Sequence, residues 1–221
     1  MDRVTFGSTS GDLAVPAGDG KHGALVVIHE WWGLNDDTRR LAARFADEGF
    51  LALAVDIYHG PVTSEPSEAM RLSSEMKTEN ALEDIRAAVA FLAAHPRSNG
   101  RAAVTGFCLG GAVALAAAFQ VDGLSAAIPF YGIPRADFVD FAKKTPPIQG
   151  HYASKDTFVD AERTRAIAEG VRAAGGSFEL FVYEANHAFM RAGDPAAYDE
   201  ASAKLAWSRA VPFLRSHIGA P

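Results

Sequence analysis

Six short apolar runs constrain the fold of this chain more than any other feature: Ala24–His29, Leu51–Val55, Ala102–Thr105, Ala126–Tyr131, Ile148–Tyr152 and Phe178–Tyr183. Each is hydrophobic on both faces, as expected for a strand in a parallel sheet covered by helices on either side. Helical patterns alternate with them. Asp36–Glu48 opens on Asn35 or Asp36 as a cap and stops at Gly49. Thr78–Ala94 sets Leu82, Ile85, Val89 and Leu92 on one stripe and ends before Pro96. Gly110–Phe119 is small and apolar, so it should be buried, and Asp160–Ala174 ends at Gly175–Gly176. Pro195–Ser216 supplies a last helix, with a break expected near Pro212. Val4–Phe6 and Leu13–Val15 suit an antiparallel hairpin, and Tyr58–Lys77 reads as loop and short helix over a site. The alternation predicts an α/β fold: a doubly wound, mostly parallel sheet flanked by helices, in a single domain spanning residues 1–221.

Charge and cysteine usage narrow the function. The net charge is −6 and the basic residues form no stripe, which sets nucleic acid aside. Cys108 is the only cysteine, so no intramolecular disulfide can form and a reducing compartment is expected. The polar N-terminus lacks a secretory signal pattern, and no apolar run reaches the ~18 residues that span a bilayer. The expectation is a soluble, cytoplasmic protein with no membrane partner, a monomer or small homo-oligomer.

The strongest local signal is Val104-Thr105-Gly106-Phe107-Cys108-Leu109-Gly110-Gly111. A strand runs into Gly-x-Cys-x-Gly-Gly and then into an alanine-rich helix. In such an elbow the nucleophile sits on a strained strand-to-helix turn, above the carboxyl edge of the sheet. The helix N-terminus beside it offers free N–H groups and a partial positive charge, suited to a thiolate and then an oxyanion. The competing reading makes Cys108 a small buried core residue and the glycines mere turn punctuation.

Chains with this elbow place the acid next and the histidine last. Two histidines follow Cys108 ahead of the terminal helix, His151 and His187. His151 lies inside an apolar run. His187 stands in a loop past the run Phe178–Tyr183, where a catalytic histidine belongs. Asp156 follows the run Ile148–Tyr152 in the same way, whereas Asp160 reads as the N-cap of the next helix. A carboxylate at Asp156 would hold His187 in one tautomer.

The run Ala24–His29 leads into Glu30-Trp31-Trp32-Gly33. The backbone N–H groups of Trp31 and Leu109 are the candidates for an oxyanion hole. Glu30 needs an explanation, because a carboxylate at the end of a buried strand is costly unless paired. Either it bridges to an arginine such as Arg39, or it points at Cys108 and controls its protonation. The pair Trp31–Trp32 is either core or substrate wall.

Taken together, Ile28-His29-Glu30-Trp31-Trp32-Gly33-Leu34-Asn35, Asp56-Ile57-Tyr58, the elbow, Phe130-Tyr131-Gly132, Lys155-Asp156 and His187-Ala188-Phe189-Met190-Arg191 resemble the dienelactone hydrolase (carboxymethylenebutenolidase) family of the α/β-hydrolase fold. The resemblance covers roughly Val26 to Phe213. It implies a Cys108–His187–Asp156 triad, a glutamate at Glu30 that takes the thiol proton when substrate binds, an arginine at Arg191 that holds a substrate carboxylate, and a tyrosine at Tyr131 lining the pocket. One element of the family pattern is absent. Its second carboxylate-binding arginine falls at Pro66 here, and Arg71 is the nearest arginine. The scissile chemistry therefore carries over better than the dienelactone substrate.

The expected function is hydrolysis of a small lactone or ester by a cysteine nucleophile through an acyl-enzyme, with no metal and no organic cofactor. The alternatives are a broad carboxylesterase or thioesterase, and a non-hydrolytic protein using Cys108 as a redox-sensing thiol.

Overall fold

A computed structural model describes residues 1–219. Its centre is one eight-stranded sheet, built from β1 (Asp2–Phe6), β2 (Thr9–Ala14), β3 (His22–Ile28), β4 (Leu51–Val55), β5 (Ser98–Phe107), β6 (Leu124–Phe130), β7 (Ile148–Ala153) and β8 (Phe178–Tyr183). The spatial order is β1-β2-β4-β3-β5-β6-β7-β8. The hairpin β1–β2 joins antiparallel to β4, and all pairs from β4 to β8 are parallel. The interior strands β3 and β4 are buried along their whole length, as their two-faced hydrophobicity requires. The edge strand β8 departs from that expectation. It has one sheet neighbour and Val182 is 52% exposed, while the Arg209 guanidinium lies over the rings of Phe181 and Tyr183.

Six α-helices flank the sheet: α1 (Asp36–Asp47), α2 (Pro66–Glu75), α3 (Thr78–Ala94), α4 (Leu109–Gln120), α5 (Ala161–Ala173) and α6 (Glu200–Ile218). The apolar stripes of α3, α4 and α5 pack one face of the sheet, and those of α1 and α6 pack the other. Side chains set the helix starts. Asn35 accepts from Thr38 N–H at 3.2 Å, Asp160 caps α5, and Asp199 accepts from Ser202 N–H at 2.8 Å. Asp199 is why the last helix opens at Glu200 rather than at Pro195. It also runs unbroken through Pro212, since loss of one N–H does not outweigh the burial of Val211, Phe213 and Leu214.

The parallel register brings the functional loops together. Ile28 pairs with Gly106, Phe107 with Phe130, Phe130 with His151, and Ala153 with Tyr183. The carboxyl ends of β3, β5, β6, β7 and β8 therefore share one edge. The chain also reverses its winding direction between β3 and β5, which opens a crevice outside these ends.

Candidate active site

Cys108 sits at the turn from β5 to α4 with φ +54° and ψ −115°. That is an unfavourable conformation for a residue with a Cβ, and it persists only where the surroundings enforce it. Here they do. Cys108 N–H donates to the Phe130 carbonyl at 3.1 Å, and its own carbonyl accepts from Ala112 N–H at 3.0 Å. A Cβ on Gly106 would strike the Gly110 backbone, and one on Gly110 would strike the carbonyl oxygens of Ile28 and His29. The two glycines thus let strand, turn and helix approach more closely than any other residue could.

His187 and Asp156 stand in the loops after β8 and β7. His187 Nδ1 and Asp156 Oδ2 are 2.7 Å apart, with side chains 16% and 2% exposed. The other Asp156 oxygen accepts from Phe158 N–H at 2.8 Å and Val159 N–H at 3.1 Å, so the carboxylate is fixed. His187 Nε2 is buried without a hydrogen bond among the described residues. Burial alone lowers the imidazolium pKa, but the Asp156 hydrogen bond and the Cys108 sulfur outweigh it and raise the pKa to about 10. His151 takes no part. It is fully buried in β7 between Tyr183 Oη at 2.7 Å and Gln149 Oε1 at 3.0 Å, and burial lowers its pKa to about 3.

Glu30, Trp31, Trp32, Cys108, Phe158, His187, Ala188 and Arg191 enclose a cavity of about 210 Å³. The two tryptophans, edge to face at 5.0 Å, are wall rather than core. The N–H groups of Trp31 and Leu109 have no hydrogen-bond partner among the described residues. Among the described residues no three His, Cys, Asp or Glu side chains are grouped as metal ligands.

Carboxymethylenebutenolidase from Pseudomonas sp. (strain P51) is 32% identical over 97% of this chain and 93% of its own. Protein usf of Aquifex pyrophilus is 34% identical over 94% and 93%. A solved structure from Klebsiella pneumoniae, assigned as a dienelactone hydrolase, superposes with a TM-score of 0.83 at 29% identity over 92% and 91%. The family model of the dienelactone hydrolases matches residues 10–218. The chain belongs to the dienelactone hydrolase family. Its fold is the α/β-hydrolase fold, and its family is one of ester- and lactone-bond hydrolases.

Within this dienelactone hydrolase family member, the polar contacts of the cavity differ from the sequence-based expectations at Glu30 and Tyr131. Arg39 does not meet Glu30. It bonds Asp12 at 2.7 Å and Asp36 at 3.0 Å. The partner of Glu30 is Arg191, at 3.1 Å, and Tyr131 Oη donates to the other Glu30 oxygen at 3.2 Å. Burial raises the Glu30 carboxyl pKa, against the pull of Arg191, His187 and Tyr131. Tyr131 lies beneath the cavity rather than on its wall: it is 1% exposed, its hydroxyl is spent on Glu30, and its ring lies 5.1 Å from that of His187. Arg71 lines a separate cavity beside Tyr58 and His59 and is paired with Glu68 and Glu75. The segment from Tyr58 to Lys77 therefore borders the site through Tyr58, which donates to the Trp31 carbonyl at 3.1 Å, while α2 lines the neighbouring cavity.

Two contributors were missed in the sequence. Phe158, 77% exposed, forms a wall with its ring 5.0 Å from that of His187. Its place two residues after Asp156 was the available signal. His29 is fully buried, and burial lowers its pKa to about 4. Its Nδ1 donates to the Glu30 carbonyl at 2.5 Å, and its Nε2 accepts from Ile57 N–H at 3.3 Å. A neutral ring thereby anchors the loop that carries Glu30 and Trp31, and an unpaired histidine at a buried strand end was the clue.

Proposed function

We propose that this protein hydrolyses a small lactone or ester by a Cys108 nucleophile through an acyl-enzyme. The observation that carries the reading is the 2.7 Å Asp156–His187 bond on the same cavity as a Cys108 held at φ +54°. A lone redox thiol would not need His187 and Asp156 in triad order.

The Cys108 thiolate attacks the acyl carbon, and the carbonyl oxygen takes up negative charge. The N–H groups of Trp31 and Leu109 stabilise it at the N-terminus of α4. The C–O bond then breaks, and the His187 imidazolium gives its proton to the departing alkoxide. This leaves a thioester on Cys108; with a lactone, the new hydroxyl stays attached to the acyl chain. Water next attacks the thioester as His187 accepts its proton. The thiolate departs, and the carboxylic acid product is released. A hydrolysis screen over lactones and small esters, with mass spectrometry for a species heavier by the acyl group, tests this. Turnover with no Cys108 adduct, undiminished in Cys108→Ala, would overturn it.

Glu30 shares the cavity with Cys108, and its raised pKa makes it a proton acceptor of useful basicity. We assign it the thiol proton on substrate binding. Glu30→Gln should lower kcat/KM by about 10²-fold, while iodoacetamide should alkylate the resting enzyme at an equal or faster rate. A variant that hydrolyses like wild type would return Glu30 to a purely structural role as the partner of Arg191.

The His187 pKa gives a second expected result. The imidazolium persists to about pH 10. Because acylation uses its proton, kcat/KM should hold up to there and fall as the pH passes that value. Stability follows the same group. Its folded pKa lies above the unfolded value of about 6.5, so the folded state binds more protons between them. Its contribution is full below about pH 6.5 and is lost as the pH rises through about 10. Melting temperatures across this range should fall more steeply for wild type than for His187→Ala. Parallel curves would mean that the pair is uncoupled from folding.

A further inference from the structure

An arginine reads a carboxylate best with two adjacent N–H groups in a fork. Among the described residues, Arg191 is the only lysine or arginine on the wall of the active-site cavity. Its Nη1 donates to Glu30 at 3.1 Å and its Nη2 to Asp194 at 2.7 Å. Its Nε is buried, out of reach of solvent, and has no partner among the described residues. Both terminal nitrogens of the fork are thus already engaged by resident carboxylates.

Asp194 is held in place. Its Oδ1 accepts from Ala196 N–H at 3.0 Å, so the loop backbone fixes the carboxylate that occupies Arg191. The same loop is tied to α1, where Gly193 N–H donates to Asp37 at 3.1 Å. Arg191, Glu30 and Asp194 therefore sum to one positive and two negative formal charges, and the His187 imidazolium on the same cavity is offset by its own partner Asp156. A substrate carboxylate entering there would have to displace one resident carboxylate and lie beside the other. Among the described residues no second lysine or arginine lines this cavity to restore the balance, and Arg71 is spent on Glu68 and Glu75 outside it. The remaining walls are Trp31, Trp32, Phe158 and Ala188, which offer apolar surface.

We propose that the site selects neutral substrates, namely uncharged lactones or esters small enough for a cavity of about 210 Å³, and that Asp194 enforces this choice by occupying Arg191. The inference rests on the hydrolase reading of Cys108. Arg191 then acts as a positioning residue for Glu30, and Asp194 as a specificity-determining one.

The test uses a matched pair on the best lactone scaffold from the screen: one compound bearing a side-chain carboxylate, the other its primary amide, equal in size and uncharged. Wild-type kcat/KM should favour the amide by about tenfold or more at neutral pH and low salt. Asp194→Asn keeps an acceptor for Ala196 N–H and removes the charge; Asp194→Ser is a second, independent variant. Both should narrow the amide preference by about fivefold or more, chiefly through a lower KM for the carboxylate. A wild-type preference for the carboxylate overturns the proposal, as does a ratio unmoved in both variants. Cys108→Ala, run alongside, separates the two failures. Residual turnover there sinks the nucleophile reading, whereas a carboxylate preference that Cys108→Ala abolishes sinks this inference alone.

Discussion

Cys108→Ala and His187→Ala are each expected to lower kcat by about 10⁴-fold or more on the best substrate, and the double variant should be little worse than either alone. In the proposed mechanism the three side chains act in one sequence of proton and acyl transfers. Removing the sulfur removes the acyl acceptor, and removing the imidazole removes both the proton donor to the alkoxide and the base that activates water. Asp156→Asn should approach the same loss. An amide at 2.7 Å can present N–H toward His187 Nδ1 and favour the wrong tautomer. Alanine is the informative replacement for Cys108, because serine could substitute as a weak nucleophile. Initial rates with each variant decide the matter. Near-wild-type turnover by Cys108→Ala would remove the sulfur from the mechanism. A fully additive double variant would mean that the residues do not act as a unit.

Gly110→Ala should be strongly damaging to stability. Its Cβ would meet the carbonyl oxygens of Ile28 and His29, which are backbone and cannot swing aside. Relief requires α4 to move off the end of β3. Overpacking of this kind costs roughly 1–3 kcal/mol, and more where the obstacle is main chain. For a chain of this size, about 3 kcal/mol corresponds to a fall of roughly 6–12 °C in melting temperature. Activity should fall further than stability alone explains, because the same movement carries Cys108 and Leu109 away from the Trp31 loop. Gly18→Ala makes the useful contrast. Gly18 has φ +79° and open space around it, so only its conformation resists a Cβ, at about 1 kcal/mol. Equal melting temperatures for the two variants would show that the contact between α4 and β3 is looser than its geometry implies.

The elements of the sheet were legible in the sequence because strand and helix patterns are local. β4, β8 and α3 fall on the residues their hydrophobic periods mark, and the side-chain caps of α1 and α5 fall at Asn35 and Asp160. The order of Cys108, Asp156 and His187 was legible for a related reason. Each follows its own apolar run, and in a parallel sheet every such run ends at the same edge.

The charged contacts were not legible. With 21 Lys and Arg against 27 Asp and Glu, local spacing cannot say which pair will meet across the fold. Glu30 was within reach of Arg39 along the chain, yet it pairs with Arg191, 161 positions away, because the loops after β3 and β8 converge over the crevice. The same convergence turns Trp31 and Trp32 into walls, sinks Tyr131 beneath Glu30 and leaves Arg71 in a neighbouring cavity. By itself, then, the sequence determined the alternating strands and helices, the strained elbow and the linear order of Cys108, Asp156 and His187, since hydrophobic period, glycine sterics and chain direction act over a few residues. Only the tertiary structure decided which carboxylates occupy Arg191, because ion pairing depends on distances that arise when strand ends far apart in the chain are brought to one edge.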